Sequence, residues 1–189
     1  MKARGRFEFF RDIYLGEVRQ LKLWHLKQHK VWLTAGTDFK LRQWNLSPLA
    51  KVPQVGEPIH LHSDLVQDCL EIATPFSIAT CSLDRSIVMY DLKNMEVLKR
   101  FSRKHDTGVT SLKYVRNFGG VLFSVGFEIF ANVWGPENLF GEAHVGKLKG
   151  HKHPICAIDV MQEKPFAFTL DKANVIIWDV RSLNALQNI

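Results

Sequence analysis

Two histidine pairs have residue types and spacing that could hold a metal ion: His60 with His62, and His151 with His153. A structural zinc site needs four ligands, usually Cys and His at short, characteristic spacings. No further Cys or His lies at such a spacing, so we expect structural histidines and no metal or other cofactor. The sequence also lacks a nucleophile elbow, a phosphate-binding loop and a zinc-protease motif. The sequence therefore argues against an enzyme.

Composition is that of a globular protein, with 189 residues of which 46% are hydrophobic and 23% charged. The longest uncharged run, Asn117–Phe127, is too short to cross a bilayer, and the basic N-terminus lacks the apolar segment of a secretory signal. Cys69, Cys81 and Cys156 are far apart inside apolar runs, which favours buried free thiols in a reducing compartment. A net charge of +6 favours acidic partners and gives no reason to expect membrane binding.

The elements that carry the histidines recur along the chain. Trp44, Tyr90, Trp134 and Trp178 follow one another at spacings of 46, 44 and 44 residues. Each ends a short apolar run with the period-two alternation of a β-strand, and no stretch has sustained helical periodicity. A repeat of about 40–45 residues built from short strands is typical of propeller blades. The sequence therefore predicts an all-β fold.

The opposite end of each repeat is also periodic. His62, His105 and His151 each stand four residues before an aliphatic residue, and Tyr14 occupies that position in the first repeat. An acidic residue stands six positions before the aromatic one in the first three repeats, at Asp38, Asp84 and Glu128. In the fourth repeat Asp171 is seven positions before Trp178, so we expect a turn one residue longer there.

The segment Gly150–Asp179 opens with Gly-His and closes with Trp-Asp, and three degenerate copies precede it. On these residues the chain resembles the WD-repeat family over nearly its whole length. The resemblance implies a single partial propeller over residues 1–189, with about four blades. The repeats are approximately 6–46, 56–92, 97–136 and 146–180, and 181–189 begin the next outer strand.

In that family a His, a Ser or Thr, a turn Asp and the Trp form a hydrogen-bonded tetrad, which is structural because buried loops need side-chain partners. The resemblance implies full tetrads in the second and fourth repeats, with Tyr replacing Trp in the second. Gly36 and Gly126 occupy the expected hydroxyl position in the other two, which should lack full tetrads. The implied residues are Asp38 and Trp44; His62, Ser82, Asp84 and Tyr90; His105 and Trp134; and His151, Thr169, Asp171 and Trp178.

Propellers of this family usually have seven blades, and the two ends of this chain indicate an incomplete ring. Arg6–Arg11 is expected to be the outer strand of a blade before the first repeat. Asn184–Ile189 is expected to begin the outer strand of the fourth blade. We therefore expect an open arc, with the missing blades supplied by another segment or another chain.

Basic residues cluster in loops that the tetrads would place at one end of the blades. A contiguous basic face is one interpretation, and ordinary scattered surface charge is the other. Such a face would bind acidic protein surfaces, for example those of tubulin, or less favourably a nucleic-acid backbone. Its candidate residues are Arg85, Arg103, Lys104, Lys152 and Lys172.

Three phrases, Leu70–Leu92, Phe123–Pro136 and Leu148–Val160, resemble the large WD-repeat proteins of cilia and flagella. The resemblance implies a non-catalytic protein-binding scaffold in the axoneme, with a cytoplasmic or cytoskeletal location. Two other classes stay open: a scaffold of a nuclear or nucleolar ribonucleoprotein complex, and an adaptor for substrates or signalling proteins.

Overall fold

A computed structural model describes residues 19–45, 54–72, 77–102, 104–135 and 143–189. The expected strand Arg6–Arg11, the residue Tyr14 and the candidate interface residue Arg103 lie outside these ranges. Statements about the fold below refer to the described residues.

Strands account for nearly all regular structure, as expected from the period-two alternation of apolar residues. The sixteen described strands and one helical turn are β1 Gln20–Leu26, β2 Val31–Gly36, β3 Leu41–Trp44, β4 Gln54–Ile59, β5 Val66–Glu71, β6 Ser77–Ser82, β7 Ile87–Asp91, β8 Glu96–Phe101, β9 Val109–Val115, α1 Asn117–Gly120, β10 Val121–Gly126, β11 Phe130–Trp134, β12 His144–Lys149, β13 Ala157–Val160, β14 Phe166–Leu170, β15 Val175–Asp179 and β16 Ala185–Asn188. The all-β expectation is confirmed.

The strands form four antiparallel sheets, each built from four consecutive strands. The first sheet is β1–β4, the second β5–β8, the third β9–β12 and the fourth β13–β16, always in chain order. The strand β16 pairs with β15 as the outer strand of the fourth sheet. Each aromatic repeat position, from Trp44 to Trp178, falls on the third strand of its sheet.

The sheets pack face against face in a propeller-like arrangement. The innermost strands contact one another in the order β1, β5, β9, β13. Three buried apolar clusters separate the four sheets, as shown by Leu33 with Ile78, Met89 with Leu122, and Phe123 with Ile176. Burying apolar side chains on both faces of a sheet is a main source of stability in such a stack.

Two of the three cysteines lie in these clusters. Cys69 and Cys81 are buried free thiols, and burial raises the pKa of both. The expectation of a buried thiol is wrong for Cys156, which is exposed at the start of the fourth sheet and whose sulfur lies 3.3 Å from the carbonyl oxygen of Leu170.

Candidate functional site

A chain of buried polar side chains crosses one end of the third sheet. The Nδ1 atom of His105 lies 2.9 Å from Glu128 Oε2, and its Nε2 atom lies 2.7 Å from the hydroxyl of Ser124. The indole Nε1 of Trp134 donates to the same hydroxyl over 2.8 Å. Because a carboxylate can only accept, Nδ1 carries the proton, and a neutral imidazole then accepts at Nε2 from the hydroxyl. The four side chains thus form one directed chain from Trp134 to Glu128.

This geometry corrects the expectation of an incomplete tetrad in the third repeat. Gly126 occupies the position where the resemblance implies a hydroxyl, but Ser124, two residues earlier, supplies it. Glu128 takes the place of the turn Asp. Its other oxygen accepts from the backbone N–H groups of Asp106 and Thr107, both at 2.9 Å. The carboxylate therefore fastens the hairpin turn to the loop before β9.

The fourth sheet repeats the arrangement with a Thr. Trp178 Nε1 donates to Thr169 Oγ1 over 2.7 Å, and His151 Nε2 lies 2.7 Å from the same oxygen. His151 Nδ1 lies 3.0 Å from Asp171 Oδ2, although these two atoms are not aligned for a hydrogen bond. Asp171 Oδ1 accepts from the backbone N–H groups of Ala173 and Asn174, both at 2.7 Å.

The second sheet has a shorter chain that does not include its aromatic residue. His62 Nδ1 lies 3.0 Å from Asp84 Oδ2, and His62 Nε2 lies 2.9 Å from the hydroxyl of Thr80. Two expectations are wrong here. Ser82 bonds the carbonyl oxygen of Asp64 and not the histidine. The hydroxyl of Tyr90 reaches the sulfur of Met95 at 3.7 Å, because a phenol carries its polar atom further out than an indole does.

The first sheet keeps the tryptophan contact and replaces the histidine. Trp44 Nε1 donates to Thr34 Oγ1 over 2.8 Å. The expectation that this repeat lacks a hydroxyl, because Gly36 stands at the implied position, is therefore wrong, and Thr34 supplies it. Asp38 accepts two hydrogen bonds from the guanidinium of Arg42, at 3.1 and 2.6 Å. Arg42 is only 6% exposed. A two-pronged arginine–carboxylate pair is among the stronger protein hydrogen-bonding arrangements.

One register rule explains all four hydroxyl positions. Each hydroxyl residue pairs across the second and third strands with the residue two before the aromatic position. The pairs are Thr34 with Arg42, Thr80 with Val88, Ser124 with Asn132, and Thr169 with Ile176. Side chains two apart on a strand share a face, so the hydroxyl and the indole meet.

The register also corrects the expected length of the fourth turn. Four residues lie between the paired Leu170 and Val175, whereas five lie between Ala35 and Leu41 and between Cys81 and Ile87. The fourth turn is therefore one residue shorter, not longer. Compared with the first two turns, the fourth turn is shorter and its acidic residue stands at a different position within it.

The turn carboxylates are held in their charged forms. Burial alone would raise the pKa of Glu128, but hydrogen bonds from His105 and Thr107 outweigh it and lower the pKa to about 2. Burial would also raise the pKa of Asp84, but hydrogen bonds from His62 and Ser86 outweigh this effect, so the pKa of Asp84 lies well below its usual range. The pKa of Asp171 is also lowered, since bonds from Ala173 and Asn174 exceed the effect of burial. Acceptance of several hydrogen bonds favours a carboxylate over its acid.

Four of the candidate interface residues lie in the loops that these chains fasten together. Arg85 and Lys172 lie in hairpin turns, and Lys104 and Lys152 flank His105 and His151. All four are exposed. Among the described residues of the same loops of the second to fourth sheets, Asp106 is the one exposed carboxylate. The groups offered to a partner at this end are therefore mainly cationic.

A second set of polar contacts, which sequence reasoning missed, joins neighbouring sheets at the opposite end. Glu71 Oε1 accepts from the backbone N–H of Gln28 and lies 2.9 Å from His29 Nδ1. The side-chain amide of Gln162 donates to the carbonyl oxygen of Tyr114 and accepts from the N–H of Arg116. Glu71 and Gln162, which make these side-chain contacts, stand nineteen and sixteen residues before the aromatic position of their repeats, so no shared position marked them in advance.

The histidine pairs do not assemble a metal centre in the part of the chain that the structure describes. No group of three His, Cys, Asp or Glu side chains is placed to hold an ion there. His60 is exposed, while His62 belongs to the chain described above. His153 Nδ1 lies 3.7 Å from Asp171 Oδ2, beside the His151 contact.

Within the described ranges the chain has no helix of the length and apolarity that a membrane span requires. No family model matches the chain, and no curated protein matches it.

Proposed function

We propose that the chain is a non-catalytic protein-binding scaffold of WD-repeat propeller blades. The end of the sheets whose loops carry Arg85, Lys104, Lys152 and Lys172, called the loop end below, contacts acidic protein surfaces. The observation that carries the proposal is the set of exposed cations on loops fixed by buried polar chains. A rigid loop end loses little conformational freedom on binding, which favours its use as a binding platform.

The electrostatics of these loops separate the two signs of charge. Asp84, Glu128 and Asp171 direct their oxygens at buried His and backbone N–H groups. Lys104, by contrast, is exposed. Because the carboxylates remain charged close by, the attraction to a partner is one of short-range contact more than of a long-range field. The net charge of +6 on the whole chain adds a modest attraction at a distance.

Three segments of the sequence resemble ciliary and flagellar WD-repeat proteins. This resemblance selects the partner that we propose, the acidic surface of tubulin in the axoneme. A ribonucleoprotein scaffold would use the same cations on phosphates, and an adaptor would bind a peptide without regard to its charge. These classes differ in the ligand that the loops would bind. Binding measurements with microtubules, RNA and a neutral peptide therefore distinguish them.

The experiment compares two matched triple variants in co-sedimentation with stabilised microtubules. One replaces Lys104, Lys152 and Lys172 with Gln. The control replaces Lys27, Arg116 and Lys164, which are exposed near the opposite end of the sheets, with Gln. At about 0.2–1 kcal/mol for each exposed ion pair, the loop variant should bind about threefold to a hundredfold more weakly. The control variant should bind like the unchanged protein.

Removing the acidic tubulin tails by proteolysis, or raising the salt concentration, should also weaken binding. Equal losses in the two triple variants would contradict the proposed binding end. Binding to RNA but not to microtubules would favour the ribonucleoprotein scaffold, and salt-independent capture of a neutral peptide would favour the adaptor.

A further inference from the structure

One hairpin turn at the loop end exposes two large apolar side chains. The turn, residues 127–129, joins β10 to β11, and within it Phe127 is 60% exposed and Ile129 is 49% exposed. The corresponding turns of the other sheets, 37–40, 83–86 and 171–174, are all described by the structure and expose no large apolar side chain. A lone exposed apolar residue is ordinary on a protein surface. Two of them on three residues give this turn an apolar character that the other turns lack.

The residue between the two apolar side chains is buried and fastens the turn. Glu128 is 7% exposed, and its carboxylate accepts from the backbone N–H groups of Asp106 and Thr107. The N–H of Phe127 donates to Thr107 Oγ1 over 3.1 Å, and the carbonyl oxygen of Glu128 accepts from the N–H of Ile155 over 2.9 Å. The turn is therefore held on two sides, by the loop before β9 and by the loop before β13.

The backbone beside the turn also packs closely on its neighbours. A Cβ at Gly126 would overlap the carbonyl oxygen of Gly108 and the carboxylate of Glu128, so only glycine fits there. A Cβ at Gly108 would in turn lie 2.8 Å from the side chain of Leu83, in the turn of the second sheet. A turn held by hydrogen bonds and close packing loses little conformational freedom when it binds a ligand. Its two exposed side chains are therefore already positioned for binding.

Lysines flank the turn on the segments that contact it. Lys104 and Lys152 stand two and three residues before the donors Asp106 and Ile155, which is at most about 7 and 11 Å of chain. Lys149 pairs across β11 and β12 with the residue that follows the turn. All three lysines are exposed, and Asp106 is the one exposed carboxylate of residues 104–109 and 149–155, which the structure describes in full. The apolar turn therefore has a mainly cationic rim.

We propose that Phe127 and Ile129 bind one apolar side chain of an acidic, extended segment of a partner protein. Interfaces commonly depend on a buried apolar or aromatic anchor with a polar rim around it. One three-residue turn offers far less area than the roughly 1,000 Å² that a stable contact between folded proteins buries. A single apolar residue with carboxylates on both sides therefore fits the turn and its lysines better than a broad apolar face does. The inference rests on the proposed function, which places acidic partners at the loop end, and adds the apolar residue that such a partner carries.

Fluorescence anisotropy with three labelled heptapeptides tests the proposal on the full chain. The Phe peptide has one Phe between three Glu residues on each side, the Ser peptide has Ser in place of Phe, and the Gln peptide has Gln in place of every Glu. At low salt the Phe peptide should bind about fivefold to thirtyfold more tightly than the Ser peptide, because it buries an apolar side chain. The Gln peptide should bind more weakly than the Phe peptide, because it offers the lysines no charge. Raising the salt concentration should weaken the binding of both Glu-containing peptides and preserve the ratio of their affinities.

A matched pair of double variants locates the apolar contact. Phe127→Ser with Ile129→Ser should lower the affinity of the Phe peptide to that of the Ser peptide. The affinity of the Ser peptide should stay unchanged, which also shows that the loop end of this variant is folded. The control is Val97→Ser with Val145→Ser, two residues that are 47% and 54% exposed near the start of the outer strands β8 and β12, at the opposite end of the sheets. The control variant should keep the full preference for the Phe peptide.

Lys104→Gln with Lys152→Gln separates the failure of this inference from the failure of the proposed function. This variant should weaken the binding of the Phe and Ser peptides by the same factor. If it does so but the unchanged protein binds the two peptides equally, the inference is overturned and the acidic partner stands. A preference for Phe that survives Phe127→Ser with Ile129→Ser would also overturn the inference. A Phe peptide that binds no better than the Gln peptide would overturn both. A single-stranded RNA that displaces the Phe peptide, and binds this double Ser variant more weakly, would assign the turn to nucleic acid and contradict the proposal.

Discussion

The indole of Trp134 donates to the hydroxyl of Ser124 over 2.8 Å, and this hydroxyl lies 2.7 Å from His105 Nε2. One oxygen thus satisfies two buried groups that belong to different strands and loops. Thr169 has the same position between Trp178 and His151. The buried polar chain therefore depends most on the hydroxyl group of this Ser or Thr.

Ser124→Ala should lower the free energy of unfolding by about 1–3 kcal/mol, because it leaves the indole N–H and the imidazole nitrogen buried with one partner fewer. Chemical denaturation followed by tryptophan fluorescence measures the change. Thr110→Val in the neighbouring strand is the control, since the Thr110 hydroxyl is half-buried and makes a 3.3 Å contact with one carbonyl oxygen. Equal effects of the two substitutions would contradict the role assigned to Ser124.

Tyr90→Phe should change the free energy of unfolding by less than about 0.5 kcal/mol, as is usual where no strong interaction is removed. The Tyr90 ring is buried, but its hydroxyl reaches only the Met95 sulfur at 3.7 Å. Thermal unfolding of the variant provides the measurement. A loss as large as that of Ser124→Ala would restore Tyr90 to the buried polar chain, against the geometry described.

Asp38 and Arg42 should show unequal single-mutant effects. Asp38→Ala leaves a buried guanidinium unpaired, whereas Arg42→Met leaves a carboxylate that is 22% exposed to water. Removal of Asp38 should therefore destabilise the fold more than removal of Arg42 does. A double-mutant cycle from denaturant titrations should give a coupling of about 0.5–3 kcal/mol. Additive effects would mean that the pair contributes nothing as a pair.

Stability should fall in acid because of the turn carboxylates. The pKa of Glu128 is about 2 in the folded protein, against an ordinary value of 4.5. A depressed folded pKa stabilises the fold fully above the unfolded value, and that stabilisation is lost as pH falls from about 4.5 towards 2. Glu128→Gln should flatten the pH dependence of the unfolding free energy in this window, and Lys164→Gln should not. An unchanged slope in the Glu128 variant would be evidence against the His105–Glu128 contact.

Alternation and a recurring aromatic residue are local signals. The sequence therefore predicted the all-β fold and the strand that carries each aromatic position. It also located the histidines and turn acids that the structure brings together. It misplaced the hydroxyl by two residues at Gly36, Ser82 and Gly126, since the cross-strand register depends on turn length and strand pairing. A recurrence was nonetheless present: Thr34, Thr80 and Ser124 each stand ten residues before the aromatic position.

Other features left no such trace. Arg42 is an unusual buried cation, and only the folded turn reveals that Asp38 lies beside it. The contacts of Glu71 and Gln162 join residues more than forty positions apart, so no local pattern encodes them. Tyr90 aligned well with the tryptophans in sequence but differs in where its polar atom lies.

Hydrogen exchange of the five tryptophan indoles, followed by NMR after transfer to deuterated water, tests most directly whether buried polar chains fix the loop end of the sheets. The indole N–H groups of Trp44, Trp134 and Trp178 donate to buried or half-buried hydroxyls and should exchange only on global unfolding. Those of Trp24 and Trp32, whose side chains are half-buried in the first sheet, should exchange much faster. Exchange of the Trp134 indole as fast as that of Trp32 would contradict the account.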